Sequence, residues 1–372
     1  MPIVVQEPSG TSTIPRRVVD DFLQRETRSR IQRSMTDVPG LVERLGRMLK
    51  ATRLLIAGQR VLVAVSGGSD SVALAYVLRA LQPSMRLQLG VVHVNHQLRP
   101  DAKQDATFVE GLAHALEMPF FLETHDVRQF CRDGGWSVEA GARDVRYRAL
   151  MTVAQAFSAD AVALGHTADD QAETVLMRLI RGSGLTGLSG MPAKRVLGPG
   201  VLAIRPLLGV WREELRAYLR AQRVTYRNDP SNHDVAMTRN RIRHELIPLL
   251  ARAYNPRITE RLLELADQSR EALELMDQLV ARVWKRAVRT ERSGGLVMKL
   301  TSLRGIPVAL RQHLVRRVLT VVRGDLNGIE FRHWQQVEQL CHERPLGTVV
   351  DLPGGTQCVR LAGAIRCQQR DR

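Results

Sequence analysis

The chain reads as an α/β protein with a doubly wound, mostly parallel sheet, followed by a mainly helical domain and a small C-terminal hairpin. Three observations predict this. Five short apolar runs alternate with amphipathic stretches between Val61 and Ile204. Helix-period patterning takes over after about residue 246, and Pro353-Gly354-Gly355 interrupts alternating apolar residues near the end. Repeated strand–helix units favour a parallel sheet with helices on both faces, and ligands then collect at the C-terminal strand ends.

The elements follow in order. Residues 1–40 mix Pro, Ser, Thr and charges without a core-facing period and read as a mobile extension; Glu7, Asp20, Asp21 and Glu26 make it too acidic for a transit peptide. Residues 41–245 form the expected catalytic domain, with strands at Val61–Val65, Leu87–Asn95, Phe120–Thr124, Ala161–Gly165 and Val201–Ile204. The strands are expected to stop near 246, so that residues 246–372 are helical with a short β tail. Helices are expected over Arg257–Arg289, over Pro307–Val322 and from Phe331, and the tail Gly347–Cys367 reads as the hairpin.

Composition narrows the class. The formal net charge of +16 and pI near 10.7 favour a polyanionic partner, with nucleic acid the default. Lysine occurs only at 50, 103, 194, 285 and 299, so arginine carries nearly all of this charge and part of it reflects codon bias. Sparse aromatics argue against a base-stacking platform. The four cysteines, Cys131, Cys341, Cys358 and Cys367, form no Cys-x-x-Cys pair and read as reduced packing thiols. No stretch approaches the roughly 18 apolar residues of a membrane span, and the N-terminus lacks a secretory core, so a cytoplasmic protein is expected.

Ser66-Gly67-Gly68-Ser69-Asp70-Ser71 carries the most chemistry. A buried strand delivering two glycines and several hydroxyls to a helix start makes a phosphate cradle, because backbone N–H groups and the helix dipole face the anion. The spacing fits neither a Walker A loop nor a dinucleotide fingerprint. A carboxylate beside polyphosphate is repulsive unless a cation lies between, so Asp70 implies Mg²⁺ bound with the nucleotide. The alternative is a plain strand-to-helix turn with an N-cap, for which Ser and Asp are preferred.

Three further blocks lie where strands should end. His93-Val94-Asn95-His96-Gln97-Leu98-Arg99-Pro100 places His93 and Asn95 near the nucleotide. Glu139-Ala140-Gly141-Ala142-Arg143 precedes Arg146-Tyr147. Leu164-Gly165-His166-Thr167-Ala168-Asp169-Asp170-Gln171-Ala172-Glu173-Thr174 hands a strand to a helix, with Asp170 and Glu173 one turn apart on one face. Clustered carboxylates in a cleft suit an incoming ammonium; alone, they equally suit a solvated helix N-terminus.

The opening loop resembles the PP-loop of ATP pyrophosphatases, which cleave ATP between its α and β phosphates on a Rossmann-like sheet. With the later blocks, Arg178-Leu179-Ile180-Arg181-Gly182-Ser183-Gly184-Leu185-Thr186-Gly187-Leu188-Ser189-Gly190-Met191, Arg205-Pro206-Leu207-Leu208, Asn228-Asp229-Pro230-Ser231-Asn232, Arg239-Asn240-Arg241-Ile242-Arg243-His244 and the tail Leu352-Pro353-Gly354-Gly355, the chain is similar to the tRNA(Ile)-lysidine synthases. The resemblance implies ATP-dependent ligation of free L-lysine to C2 of the wobble cytidine of a CAU-anticodon isoleucine tRNA, through an adenylated cytidine. It implies ATP and Mg²⁺ as cofactors, residues 246–372 as a tRNA-binding region, and admits a homodimer. It also assigns roles: Ser66, Gly67, Gly68, Ser69, Asp70, Ser71, His93 and Asn95 to the nucleotide, Asp70 to the metal, and Asp70, Arg143, His166 and Asp170 to catalysis. Asp170, Glu173, Arg178 and Arg181 fall to substrate binding. Many relatives carry His-His where this chain has His166-Thr167, so no role of the second histidine transfers. A PP-loop tRNA thiolase is the nearest rival, and a basic RNA-binding protein with an inactive nucleotide fold a more distant one. Thiolases rely on paired cysteines, which this chain lacks.

Overall fold

The computed structural model describes residues 38–98, 101–228, 237–291, 295–324, 326, 328–342 and 344–370. The extension up to residue 37, Arg99-Pro100 and Asp229-Pro230-Ser231-Asn232 lie outside the described residues. The chain divides into two compact units, Met1–Ala266 and Asp267–Arg372.

The first unit is built on a six-stranded sheet of order β3-β2-β1-β4-β6-β5. Its strands are β1 (Arg60–Ala64), β2 (Gln88–Asn95), β3 (Phe120–Thr124), β4 (Ala161–Ala163), β5 (Lys194–Gly198) and β6 (Val201–Ile204). All neighbours are parallel except β5, which runs antiparallel to β6. Central β1 pairs Val61 with Leu89 of β2 and with Ala161 of β4. Val61, Leu62 and Val63 are fully buried, as the continuous apolar run required of a strand covered on both faces. The five expected strands are all present. The sixth, β5, escaped the sequence reading because it is an edge strand with Lys194, Arg195 and exposed Val196 instead of an apolar run.

Helices α1 (Val38–Ala51), α2 (Ser69–Met85), α3 (Ala102–Ala115), α4 (Val127–Gly134), α5 (Val138–Ala156), α6 (Ala168–Ile180), α7 (Leu185–Leu188) and α8 (Arg212–Ala221) complete the wound layers. One core joins α1, α2 and α8 to the sheet through Leu45, Leu49, Leu74, Leu78, Leu215 and Leu219. On the other face Leu62, Val92, Val162 and Ala203 meet Leu150, Val153 and Ala154 of α5. The chain order reverses between β1, whose next partner is β2, and β4, so their following loops part and open a crevice at the C-terminal strand ends. A helical segment lies beyond: α9 (Thr238–Arg241), a π turn (Ile242–Leu246) and α10 (Ile247–Ala253). Ile242 and Leu262 pack there on Ala172, Val175 and Leu176 of α6.

Helix α11 (Ile258–Ala287) leads into the second unit, which also contains α12 (Val308–Arg323) and α13 (Phe331–His342). These match the expected helices within two residues at most termini. The β content is larger than a hairpin: β7 (Val288–Thr290), β8 (Leu296–Lys299), β9 (Val349–Leu352), β10 (Thr356–Leu361) and β11 (Ala364–Gln369) form an antiparallel sheet of order β7-β8-β11-β10-β9. The expectation that strands stop after 246 is corrected here. β7 and β8 are only three and four residues long, and β7 directly continues a helix, so neither shows a period by itself. Met298, Cys358, Ile365 and Cys367 of the sheet pack with Val318, Leu319, Val337 and Leu340 of α12 and α13. Among the described residues no helix is long and apolar enough to cross a membrane.

Candidate functional site

The loop after β1 is folded by its own small residues. Gly67 takes φ +91°, a conformation that side chains disfavour, and Gly68 caps α2. Ser71 Oγ accepts from the Ser66 N–H at 3.1 Å and donates to the Gly68 carbonyl at 3.0 Å, closing the loop on the first helical turn. The Gly67 carbonyl accepts from the Arg227 N–H at 2.9 Å, while the Arg227 side chain pairs with Asp105 of α3. Ser69 and Asp70 thus stand at a helix N-terminus, where the dipole favours an anion.

The ends of β2 and β4 converge on this loop. His93 is buried with Nδ1 2.8 Å from the Val65 carbonyl, tying β2 to the last residue before the loop. Burial lowers its pKa, against the opposing effects of the Val65 carbonyl and Asp105. The Asn95 amide bonds within its own turn, donating to the Ala102 carbonyl at 3.1 Å and accepting from the Gln97 N–H at 2.9 Å. Both residues therefore shape the backbone beside the loop. After β4, Gly165 lies against the loop helix, and His166 and Thr167 lead into α6.

Thr167 is the N-cap of α6 and fully buried. Its N–H and hydroxyl donate to Asp170 Oδ2 at 2.9 and 3.1 Å, and its hydroxyl accepts from the Asp170 N–H, a reciprocal capping arrangement. Threonine at this position is therefore a cap, for which its hydroxyl suits it. The second oxygen of Asp170 faces a cluster that the sequence left without roles.

Three arginines converge on Asp170 and Glu173. Arg212 Nη2 lies 3.1 Å from Asp170 Oδ1, while Arg212 Nε donates to Asp70 Oδ2 at 2.9 Å. Arg239 donates to Glu173 Oε2 at 2.8 Å and Asp170 Oδ1 at 3.2 Å. Arg243 donates to Glu173 Oε1 at 2.6 Å and Asp170 Oδ1 at 3.1 Å. Burial would raise the Asp170 pKa, but Arg212 and Arg239 outweigh it and hold the carboxyl below its ordinary value. Burial likewise works against charge on Arg212, yet Asp170, Asp70 and Asp169 raise its pKa. The structure thus brings Asp70, Asp170 and Glu173 into one network.

His166 stands beside this network. Burial lowers its pKa to about 4, with Arg205, Arg239 and Arg146 acting in the same direction against Asp170, so the imidazole is neutral near pH 7. Its Nδ1 is buried without a hydrogen-bond partner.

A second cationic group surrounds Tyr147 of α5. The Arg143 and Arg195 guanidiniums lie 5.1 and 4.0 Å from its ring centroid, and buried Arg205 donates to the Pro192 carbonyl at 2.7 Å. Burial lowers the Arg205 pKa, and nearby Arg195 and Arg143 add to that effect. Clustered cations of this kind suit an anionic group such as phosphate. The remaining two arginines stand elsewhere: Arg178 Nη1 donates to the carbonyls of Gly187 and Gly190 at 3.0 and 2.7 Å, bracing the glycine-rich loop, and Arg181 is exposed at the end of α6. Gln171 braces the same loop with paired bonds to the Met191 N–H and carbonyl at 2.7 and 3.1 Å.

Sequence reasoning gave Arg212, Arg239, Arg243, Gln171 and Arg227 no role. Arg239 and Arg243 lay inside a quoted block, whereas Arg212 carried no local signal. Among the described residues no three His, Cys, Asp or Glu side chains gather to hold a metal. Asp70 alone fits Mg²⁺ of the kind that binds through one carboxylate and the substrate's phosphates.

A PP-loop domain family matches residues 41–250. The tRNA(Ile)-lysidine synthase of Geobacter sulfurreducens is 42% identical over 292 residues, which are 78% of this chain and 61% of that protein. The protein of the same name from Symbiobacterium thermophilum is 38% identical over 88% of this chain and 68% of its own length. That of Gloeobacter violaceus is 38% identical over 75% of this chain and 82% of its own. The chain spans about three fifths to two thirds of the length of several such relatives. Among solved structures, the U34-tRNA thiolase NcsA from Methanococcus maripaludis with its 4Fe–4S cluster aligns at a TM-score of 0.51 and 18% identity, covering 63% of this chain and 79% of that one, a likeness of fold alone. With a PP-loop match over more than half its length and relatives of this identity, the chain belongs to the tRNA(Ile)-lysidine synthase family.

Proposed function

We propose that the protein joins L-lysine to C2 of cytidine 34 in the CAU-anticodon isoleucine tRNA, in the cytoplasm, with ATP and Mg²⁺. The O2 atom of the cytidine attacks the α-phosphorus and pyrophosphate leaves. The lysine ε-nitrogen, having lost one proton from its ammonium, then attacks C2, the C2–O2 bond breaks, AMP departs with that oxygen, and the nitrogen gives up a second proton as lysidine forms. The products are lysidine, AMP and pyrophosphate.

The observation that carries this reading is the single network joining Asp70 of the nucleotide loop to Asp170 and Glu173 through Arg212. A phosphate cradle and a carboxylate pair for an ammonium are the two half-sites this ligation needs, side by side. Backbone N–H groups at the Gly67–Ser71 turn would bind the polyphosphate and Asp70 would hold an Mg²⁺ that neutralises its charge, while His93 and Asn95 fix the neighbouring backbone. Asp170 and Glu173 receive the lysine. Arg239 and Arg243 lower the pKa of the bound amine, because nearby cations disfavour a further positive charge, and free lysine near 10.4 must lose a proton to attack. His166, neutral and with one nitrogen unpartnered, is the residue to which we assign the relay of that proton. Arg143 meets phosphate charge, Arg178 shapes the glycine-rich loop beside the substrate, and Arg181 meets the RNA at its rim.

Incubation with ATP, Mg²⁺, labelled lysine and isoleucine tRNA bearing CAU, followed by nucleoside analysis, tests the reading. Lysidine and stoichiometric AMP are expected. Folded protein that yields no lysidine overturns it.

A further inference from the structure

The three arginines on the carboxylate pair are not equivalent. Arg239 and Arg243 bond to Asp170 and Glu173, whereas Arg212 also reaches across to Asp70 at 2.9 Å. The Arg212 N–H donates to Asp169 Oδ2 at 2.8 Å, so its backbone is fixed to the start of α6 while the side chain spans both halves of the site. Its Nη1 lies 3.9 Å from Glu173 Oε1, within ion-pair range.

Asp70 and Asp169 share the charge of Arg212, but Asp170 Oδ1 and both Glu173 oxygens already carry guanidinium bonds, so an incoming ammonium must displace one of them. A polyphosphate seated on the Ser66–Ser71 loop changes the balance, because it places several negative charges beside Asp70, within the reach Arg212 already has. Guanidinium binds phosphate oxygens with strong, charge-assisted bonds.

We propose that Arg212 is a positioning residue that couples the two half-sites: it occupies Asp170 and Glu173 while the nucleotide side is empty, and turns to the polyphosphate when ATP binds, which opens the pair to the lysine ammonium. The inference rests on the lysine reading above. It makes ATP binding favour lysine binding, and by linkage lysine favours ATP to the same degree. A side chain with no differential contact in the two states could not do this.

Equilibrium binding of labelled lysine to the full chain, with and without Mg²⁺ and an ATP analogue whose α–β bridge cannot be cleaved, reads the coupling. Wild type should bind lysine about ten-fold more tightly with the nucleotide. Arg212→Gln, which keeps a donor and loses the charge, should bind lysine equally in both conditions and no more weakly than nucleotide-free wild type. Should that variant fail to fold by thermal melting, Arg212→Lys serves instead and should show a reduced coupling. Full coupling in the variant overturns the proposal, as does wild-type lysine binding that ignores the nucleotide. Wild type that binds no lysine in either condition overturns the lysine reading itself, and this inference with it.

Discussion

Gly165 lies against the backbone of Ser71: a Cβ built on Gly165 would stand 3.0 Å from Ser71 Cα and 3.1 Å from its N. The end of β4 and the start of the loop helix therefore lie so close that a side chain at residue 165 would crowd the Ser71 backbone. Gly165→Ala must push the loop helix aside, since backbone cannot yield as a side-chain tip can. We expect a loss of about 1–3 kcal/mol in urea unfolding and weaker ATP binding by calorimetry. Unchanged ATP affinity would show that the loop tolerates the displacement.

Glu173 is 2% exposed and carries bonds from both Arg239 and Arg243. Glu173→Ala leaves three guanidiniums around Asp170 alone, two of them stripped of their Glu173 bonds. Breaking a buried pair from one side costs about 3–5 kcal/mol, and partial exposure of the arginines reduces this to roughly 2 kcal/mol. Urea midpoints should fall accordingly, with Glu173→Gln losing less.

Two histidines make stability depend on pH. Burial lowers both His166 and His96 to about 4, helped at His96 by Arg146, His93 and His125. Unfolding returns them toward about 6.5, so below that pH the unfolded chain binds more protons than the folded one. Their contribution is complete above about pH 6.5 and declines down to about 4, by on the order of 1.4 kcal/mol per pH unit for His166 and by less for the half-buried His96, whose contact with solvent screens it. Asp170, whose pKa is depressed, adds a further loss only below the ordinary carboxyl range. His96→Gln should flatten the slope between pH 4 and 6.5 in thermal melts, and an unaltered slope would count against a half-buried, neutral His96.

Gln171 forms paired bonds to the Met191 backbone, and Gly190 at φ +69° presses on its amide, where a Cβ would sit at 2.7 Å. Gln171→Ala strands a buried N–H and carbonyl and should cost about 1–3 kcal/mol. Trypsin should then cut at Arg181 faster than in wild type. Equal cleavage would mean that Arg178 alone braces the loop.

Both levels were legible to different depths. The buried run Val61–Val65 and the glycines that follow made the central strand and its loop readable, because strand burial and positive φ each demand particular residues locally. Edge strand β5 and the short β7 and β8 were not, since few residues and an exposed face leave no period to detect. Among site residues, Asp170 and Glu173 share a helix face by spacing alone. Arg212 stands 42 positions from Asp170 and 142 from Asp70, and nothing near it in sequence marks where it points.

By itself the sequence determined the wound sheet, the glycine loop after its first strand and the family, for these rest on local backbone demands and on blocks of contiguous residues. Only the tertiary structure decided that the carboxylate pair is shared among three arginines, that Thr167 caps a helix, and that one arginine spans both halves of the site. Charges brought together by folding from distant segments set one another's protonation and reach, and those interactions exist only once the strand ends have converged.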